Sequence, residues 1–355
     1  MASWKDNARF IDPYIPGEQP APGAIKLNTN ENPYPPSPKV MEAIKEYGLD
    51  SLRLYPSAES TGLRKTLAKY FSVNEENVFI GNGSDDVLAL SFLSFFNSSL
   101  PVIFPDVTYS FYKVWCSLFD IPCETRPLLE DYRINPGDYF RKNGGIVIAN
   151  PNAPTAIALG LGEIEQIVSK NPSSVVIIDE AYAGFGSESA IPLIKKYDNL
   201  LVVQTFSKSR SLAGMRVGAA FGGSALIGIL SDVKNSYNSY PVSRLSQAAA
   251  EASVNDEEYF RKALSMVIKT REYTAGELKA LGFSVTDSSA NFLFAEHEKF
   301  AACEIQEYLK GKNIYVRLFN APRTKNRLRI TIGTDREMRI LLDELAKLFN
   351  SEGRA

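Results

Sequence analysis

The sequence predicts an α/β protein whose main domain is a mostly parallel β-sheet covered by helices on both faces. From Val78 to Phe221, short apolar runs rich in β-branched residues alternate with helical stretches. These runs are apolar throughout, which is typical of strands buried on both faces of a parallel sheet. After residue 255, helices and short strands follow in a mixed order. That order indicates a second, smaller domain of α+β type.

The N-terminal segment predicts an arm and no long helix. Residues 1–38 are rich in proline and asparagine, and proline breaks the helical ladder and restrains the residue before it. We therefore expect an arm over 1–38, a large domain over 39–255 and a small C-terminal domain over 256–355.

Hydrophobic periodicity places the elements of both domains. The predicted strands of the large domain are 78–80, 102–104, 145–149, 175–178, 200–204 and 216–221. Its predicted helices are 38–47, 62–71, 87–96, a segment ending at 119, and 161–169. Residues 246–281 predict two long helices with a break near 255. The small domain then has predicted strands at 292–295, 315–317 and 328–332, and helices at 299–310 and 335–349.

Composition excludes several classes of function. The net charge of −2 gives no nucleic-acid footprint. No apolar run reaches the length of a membrane span, and the N-terminus has no apolar signal core, so we expect a cytoplasmic protein without a membrane partner. The single histidine, His297, excludes a multi-histidine metal site and argues against a Ser-His-Asp triad. We expect no metal, a surface position for His297, and reduced core cysteines at Cys116, Cys123 and Cys303.

A lysine loop is the most telling stretch for function. Lys208 follows the apolar run 200–204 and lies among small hydroxyl residues, and Arg216 follows eight positions later. A lysine that is buried or flanked by cations has a lowered pKa, so that its neutral amine can attack a carbonyl. The alternative is an ordinary solvated loop after a strand.

A glycine-rich turn precedes the first predicted helix of the alternating region. Gly83 and Ser84 lie where strand 78–80 joins helix 87–96, and free N–H groups at a helix start bind anions such as phosphate. Ser84 is equally suited to be a plain N-cap. Asp85 and Asp86 would repel a phosphate unless their side chains turn away.

Aromatic and acidic residues also follow strand ends. Asp179 ends a fully apolar strand, and a buried carboxylate needs a cationic partner, which a protonated ring nitrogen would provide as well as an arginine. Tyr182 is placed to donate to a phenolate oxygen. Tyr109 is suited to stack on a ring, although a core tyrosine is commoner.

Three arginines are candidates for binding anions. Arg216 can hold a phosphate bidentately, with hydroxyl donors from Thr205 and Ser207. Arg317 and Arg329 lie on predicted strands of the small domain, where they suggest an anion clamp or ordinary surface positions. An amine nucleophile, a buried acid, a phenol and phosphate donors at one sheet edge together match the needs of pyridoxal phosphate.

These stretches resemble the fold-type I pyridoxal-phosphate aminotransferases over nearly the whole chain. The resemblance is carried by Leu27-Asn-Thr-Asn-Glu-Asn32, Tyr55-Pro56, Gly81-Asn-Gly-Ser-Asp85, Thr108-Tyr-Ser110, Asn150-Pro-Asn-Ala-Pro-Thr155, Asp179-Glu-Ala-Tyr182, Thr205-Phe-Ser-Lys208, Gly214-Met-Arg216 and Leu328-Arg-Ile-Thr331. It implies a large domain with a mostly parallel seven-stranded sheet covered by helices, a smaller α+β domain and an N-terminal arm. Within the family it is nearest to the enzymes that act on histidinol phosphate.

The resemblance implies a role for each matching residue. Lys208 would hold the cofactor covalently and later move the proton, Asp179 would hold the ring nitrogen's proton, and Tyr182 would contact the ring oxygen. Tyr109 would stack on the ring. The groups implied to hold the cofactor phosphate are the backbone amides of Gly83, Ser84 and Asp85 and the side chains of Thr205, Ser207 and Arg216.

Four further residues are implied to act on the partner subunit or the substrate. Tyr55 would reach the phosphate of the neighbouring subunit's cofactor, which implies a homodimer. Arg329 would bind the substrate's anionic group, with Arg317 as a second clamp. Tyr14 lies in the arm that would cover the substrate.

The chain departs from the family pattern in one loop. Ala153 stands where an asparagine usually contacts the ring oxygen, and Ala156 replaces a glycine. Asn152 would take over that contact only if the loop backbone shifts. Near Tyr240, a proline also stands where an asparagine often follows the tyrosine.

The implied reaction is transamination between histidinol phosphate and 2-oxoglutarate, giving imidazole-acetol phosphate and glutamate, a step of histidine biosynthesis. Threonine-phosphate decarboxylation and aromatic or broad-range aminotransfer are alternatives within the same cofactor chemistry. A cofactor-binding protein without turnover is an alternative from another class, suggested by Ala153 and Ala156.

Overall fold

The computed structural model describes residues 3–352, which contain twelve strands and ten α-helices. The strands are β1 Ile25–Leu27, β2 Val78–Gly81, β3 Val102–Pro105, β4 Cys123–Arg126, β5 Gly145–Ala149, β6 Val176–Asp179, β7 Leu200–Thr205, β8 Gly218–Gly222, β9 Phe283–Val285, β10 Phe292–His297, β11 Ile314–Leu318 and β12 Leu328–Thr331. The helices are α1 Pro38–Lys45, α2 Thr61–Phe71, α3 Ser84–Phe95, α4 Phe111–Leu118, α5 Leu161–Lys170, α6 Ser224–Tyr237, α7 Arg244–Val254, α8 Glu257–Ala280, α9 Ala302–Gly311 and α10 Asp335–Glu352.

The larger sheet has seven strands in the order β2-β8-β7-β6-β5-β3-β4. The neighbouring pairs from β7 through β4 are parallel, and β8 runs antiparallel to both β7 and β2. The prediction of a mostly parallel seven-stranded sheet is confirmed.

Burial of both sheet faces explains why these strands are apolar throughout. Along β6, Val176 and Ile178 face one buried cluster, whereas Ile177 faces another on the opposite side. In β5, Ile148 and Val147 are divided between the same two clusters. Because side chains alternate along a strand, a strand covered on both faces needs apolar residues at every position.

The smaller sheet has five strands in the order β1-β11-β12-β10-β9. Its first strand comes from the predicted arm, with Ile25 opposite Ile314 in a parallel pair. The N-terminal segment is therefore tied to the C-terminal part of the chain by a backbone ladder. Within residues 3–352, none of the helices combines the length and apolar character that crossing a bilayer requires.

Four strands or α-helices of the described residues lie outside the predicted set, and one of them is β1, in the segment where only an arm is expected. Strand β4 is an edge strand with the sequence Cys-Glu-Thr-Arg, which has no apolar run. Strand β9 has three residues, too few for a periodic pattern. Helix α6 carries a glycine in its interior, which lowers helix propensity.

Two expectations about single residues are wrong. Cys123 and Cys303 are exposed, and only Cys116 among the three free cysteines is buried. His297 is buried at the end of β10, where its ring stacks on Phe349 with centroids 4.3 Å apart. Its Nε2 donates to the Leu281 carbonyl at 3.0 Å because backbone N–H groups donate to its Nδ1. The charged residues beside His297 in the sequence led to the wrong prediction of a surface position.

Candidate active site

A cavity of about 260 Å³ lies at the carboxyl ends of three adjacent parallel strands. Ala149 ends β5, Asp179 ends β6 and Thr205 ends β7, and all three line the cavity. The register places Ala149 directly opposite Asp179. This position is where open α/β sheets gather their functional groups.

Most of the predicted site residues line this cavity: Tyr14, Ser84, Asp85, Tyr109, Asp179, Tyr182, Thr205, Ser207, Lys208, Arg216, Arg317 and Arg329. Gly83 lies just behind the wall, beside Arg216. Asn152 and Tyr55 lie elsewhere. A second cavity of about 390 Å³ shares Tyr14, Tyr109, Ala153, Arg317 and Arg329 with the first, so the site has room beyond the strand ends.

Lys208 presents its amine to the cavity in a setting that favours the neutral form. Its Nζ donates to the Thr29 carbonyl at 2.8 Å. Burial, and then the positive charge of Arg329, lower the pKa of Lys208 to about 8. An amine with this pKa is partly neutral near pH 7 and can attack an aldehyde.

Asp179 is a buried carboxylate with two donors on its oxygens. The Tyr112 hydroxyl donates to Oδ2 at 2.7 Å, and the Ala181 N–H donates to Oδ1 at 3.1 Å. Burial raises the pKa of Asp179 to about 6, while these two hydrogen bonds act in the opposite direction. The group is therefore suited to hold a cation that enters the cavity, such as a protonated ring nitrogen.

Glycines allow an anion cradle to close at the start of α3. Gly83 has φ of 89°, and a Cβ there would lie 2.5 Å from Arg216 Nη2. A Cβ on Gly218 would lie 2.5 Å from the Ser84 nitrogen. The helix start, the guanidinium and β8 therefore meet only because both positions lack a side chain.

Hydroxyl groups complete this cradle. The Ser207 hydroxyl accepts from Arg216 Nη1 at 3.4 Å and lies 3.0 Å from the Thr205 hydroxyl. Ser84 and Asp85 in the first turn of α3 line the same cavity, and a helix start favours an anion through its dipole and its free N–H groups. The residue types and their arrangement fit a phosphate group.

The two acidic residues of this turn have hydrogen-bond or ion-pair partners that offset their charge. Asp86 accepts from the Asn82 N–H at 2.8 Å. Asp85 accepts from the Tyr109 hydroxyl at 3.0 Å and lies 3.6 Å from Arg216 Nη2. The repulsion expected from their charges is thereby reduced, and Asp85 also anchors the Tyr109 ring at the cavity wall.

Two arginines lie side by side on neighbouring strands of the small sheet. Arg317 on β11 is the cross-strand partner of Arg329 on β12. Like charges directly opposite each other are unfavourable unless an anion lies between them. Arg329 donates through Nη2 to the Asn28 carbonyl at 2.8 Å, while its buried Nε has no protein partner. This end of the cavity is thus prepared for an anionic substrate group.

The arm contributes the remaining wall. Arg317 donates to the carbonyl of Ile15 at 3.1 Å, and the Tyr14 ring stacks on Phe111 with centroids 4.4 Å apart. These contacts bring Tyr14 over the cavity beside Tyr109. The arm therefore covers part of the site.

The structure does not support Asn152 as a cofactor contact. Its Nδ2 donates to the Val107 carbonyl at 2.9 Å, and its Oδ1 accepts from Thr108 at 2.8 Å. These bonds hold the loop, whereas Ala153 lines the cavity and presents only a methyl group. Ala156 keeps a left-handed backbone with φ of 65°, so this turn accepts a non-glycine residue with strain.

Tyr55 lies on the surface, away from the cavity. Its side chain is 76% exposed and stacks on Tyr240 with centroids 4.7 Å apart. Arg244 donates to its carbonyl at 2.9 Å. Within one chain, Tyr55 contacts nothing in the site.

Several residues that contact the site were not assigned a role from sequence, among them Tyr112 and Asn30. Tyr112 bonds Asp179, and Asn30 donates through Nδ2 to the Tyr182 hydroxyl at 2.8 Å. Tyr112 lies on the same helix that follows Tyr109, and Asn30 lies within a quoted motif. The sequence shows only the local neighbourhoods of these two residues, whereas their contacts join positions that are 67 and 152 residues apart in the chain.

This arrangement of a lysine, a buried acid, an anion cradle and an arginine pair is matched by a known family. The model of the family described as aminotransferase class I and II matches residues 22–345. The chain belongs to this family of aminotransferases.

Two proteins with similar sequences and one similar crystal structure carry the same name. A protein of Lactococcus lactis subsp. cremoris named histidinol-phosphate aminotransferase is 52% identical over 354 residues, covering 99% of each chain. A Clostridium botulinum protein of the same name is 51% identical over 348 residues, 98% of each chain. The crystal structure of histidinol-phosphate aminotransferase from Sinorhizobium meliloti in complex with pyridoxal-5'-phosphate superposes with a TM-score of 0.84 over 92% of this chain and 91% of that one. It is 23% identical in sequence and so supports the fold.

Proposed function

We propose that this aminotransferase binds pyridoxal phosphate in the cavity and exchanges an amino group between histidinol phosphate and 2-oxoglutarate. The observation that carries the proposal is the near full-length identity of 50–54% to relatives named histidinol-phosphate aminotransferase. The paired arginines at the far end of the cavity support it, because both substrates are anionic. The reaction belongs to histidine biosynthesis.

The residues of the cradle and of the cavity wall would hold the cofactor. The start of α3, Ser207 and Arg216 would bind its phosphate, and Tyr109 would stack on its ring. Asp179 would pair with the ring nitrogen, and Tyr182 would donate to the ring oxygen. When bound, the cofactor supplies an aldehyde and a pyridine ring that withdraws electrons from the substrate's Cα.

Lys208 performs two tasks with one amine. Its lowered pKa provides the neutral nucleophile that attaches the cofactor. When it is not attached to the cofactor, the same Nζ would take the proton from the substrate's Cα and return it to the bound substrate and cofactor. Because Thr29 O already accepts from this amine at 2.8 Å, the arm holds it inside the cavity between these events.

Arg329 and Arg317 hold the substrate. A planar guanidinium binds a carboxylate or a phosphate equally well through two parallel hydrogen bonds. One pair of arginines therefore serves the phosphate of histidinol phosphate and a carboxylate of 2-oxoglutarate in alternate half-reactions. Tyr14 covers the substrate and helps to exclude water.

A homodimer completes the proposal. Tyr55 is exposed and braced by Tyr240 and Arg244, which suits a residue that reaches the cofactor phosphate of a second subunit. We place the protein in the cytoplasm and divide it into the arm 1–38, the large domain 39–255 and the small domain 256–355.

The test is glutamate formation from 2-oxoglutarate by the purified protein with histidinol phosphate as donor. Lys208→Ala serves as the control and loses this activity. Release of carbon dioxide from O-phosphothreonine without an oxo acid would replace the proposal with a decarboxylase. Equal activity with phenylalanine would replace it with a broad-range aminotransferase.

A further inference from the structure

A buried chain of hydrogen bonds joins Asn30, Thr331 and Tyr182 at the cavity wall. The Asn30 backbone N–H donates to Thr331 Oγ1 at 3.0 Å, and Thr331 Oγ1 donates to Asn30 Oδ1 at 2.9 Å. Asn30 Nδ2 then donates to the Tyr182 hydroxyl at 2.8 Å. The exposed fractions of Asn30 and Thr331 are 1% and 2%, so bulk water does not compete for the hydrogen bonds between these two residues.

Each hydrogen bond of this series has a fixed donor and a fixed acceptor. A backbone N–H can only donate, so Thr331 Oγ1 accepts there and has one hydrogen left to give. The side-chain oxygen of Asn30 receives that hydrogen. The opposite orientation of the amide would bring two donors to Thr331 and leave its hydrogen without an acceptor. The amide nitrogen therefore faces Tyr182.

This direction determines where the Tyr182 hydrogen points. Because the Tyr182 oxygen accepts from Asn30, its own hydrogen cannot lie on the line between the two groups. Tyr182 lines the cavity, and its hydrogen is left to face the cavity. Ala153 at the cavity wall has only a methyl group, and the Asn152 amide is used within its loop, so neither of these two residues replaces Tyr182 as a donor.

We propose that Asn30 and Thr331 are positioning residues that make Tyr182 a hydrogen-bond donor to the oxygen on the cofactor's ring. The inference rests on the proposed function, which places that oxygen beside Tyr182. Through Asn30 and Thr331, the arm and β12 thus influence the charge on the cofactor's ring oxygen. Ala153 cannot donate a hydrogen bond to that oxygen in this protein.

The main test is Asn30→Asp, which puts an acceptor where the amide donates. The Tyr182 hydrogen would turn to the carboxylate, and the ring oxygen would lose its donor. A donor stabilises the negatively charged ring oxygen, and thereby the unprotonated form of the link to Lys208. We expect the pH midpoint of the bound cofactor's absorbance change to rise by about one unit. The cofactor dissociation constant should rise about tenfold.

A matched pair of variants removes the effect of added charge. Thr331→Val deletes the hydroxyl that orients the amide, whereas Thr331→Ser keeps it. We expect the valine variant to raise the midpoint and the serine variant to leave it at the wild-type value. Ala153→Asn added to Asn30→Asp should lower the raised midpoint, because it restores an amide donor at the cavity wall.

The experiment distinguishes failure of this inference from failure of the proposed function. A wild-type midpoint in both Asn30→Asp and Thr331→Val, with cofactor bound, would overturn the inference and leave the proposed function standing. Absence of a titrating band in the wild-type protein with added pyridoxal phosphate would overturn the proposed function and this inference with it. If Asn30→Asp does not fold, the valine and serine pair gives the result.

Discussion

Replacing Tyr112 with phenylalanine tests whether neighbouring donors keep Asp179 charged. The Asp179 carboxylate accepts from the Tyr112 hydroxyl at 2.7 Å and from the Ala181 N–H at 3.1 Å. Burial raises the pKa of Asp179 to about 6 even with both donors in place. The substitution removes one donor and keeps the ring that packs between Phe92 and Phe104.

The size of the effect follows from the lost hydrogen bond. A bond to a charged group contributes about 1.5–3 kcal/mol, and one pKa unit corresponds to about 1.4 kcal/mol. The pKa of Asp179 should therefore rise by about one to two units. A raised carboxyl pKa means that the charged form exists only at higher pH. Because the ring nitrogen's proton needs that charge, cofactor binding at pH 7 should weaken by about two- to tenfold, in proportion to the lost charged fraction of Asp179.

The assay is the dissociation constant of pyridoxal phosphate from the cofactor-free protein between pH 5.5 and 8.5. Wild-type affinity should decline as pH falls through about 6, and that of Tyr112→Phe should decline about one to two units higher. Tyr139→Phe removes the hydroxyl of another buried tyrosine, outside the cavity, and serves as the control. A Tyr112→Phe curve that coincides with the wild-type curve would refute the reasoning.

Three further predictions concern the amine, the substrate clamp and the strained turn. Because the pKa of Lys208 is lowered to about 8, the rate at which the cofactor attaches to Lys208 should rise with pH and level off above that value. Stopped-flow absorbance measures this rate, and a rate that is constant from about pH 6 to 9 would contradict the prediction. Arg329→Ala should raise the KM for both substrates about 10- to 100-fold through loss of charged hydrogen bonds, and an effect on one substrate alone would count against a shared clamp. Ala156→Gly relieves about 1–2 kcal/mol of left-handed backbone strain, but it costs about 0.4–1 kcal/mol in unfolded-chain entropy and about 0.8 kcal/mol for the lost buried methyl group. The free energy of unfolding, measured by thermal denaturation, should therefore change by less than about 1 kcal/mol. A larger gain in stability would contradict this balance.

The sequence predicted the parts of the fold that local patterns determine. Strands such as β5 and β6 are apolar at every position because both sheet faces are covered, and this pattern is visible without the structure. Asp179 at the end of β6 and Lys208 shortly after β7 follow such apolar runs, which is why the sequence predicts them as candidate functional groups. Strand β4 was not, because an edge strand with polar residues has no periodic signal.

Contacts between distant segments were beyond local patterns. The bonds from Asn30 to Tyr182 and from Tyr112 to Asp179 depend on how the arm and α4 pack onto the strand ends. The use of the Asn152 amide within its own loop depends on the position of Val107 and Thr108. In each case the residue type was compatible with several partners, and only the three-dimensional packing selected one.

The most direct test of the account is the absorbance of the purified protein with pyridoxal phosphate as histidinol phosphate is added. We predict that the band of the Lys208-linked cofactor converts to that of its amine form and returns when 2-oxoglutarate is added. A cofactor band that does not respond to histidinol phosphate would contradict the proposed substrate. No cofactor band at all would contradict the roles given to Lys208 and Asp179.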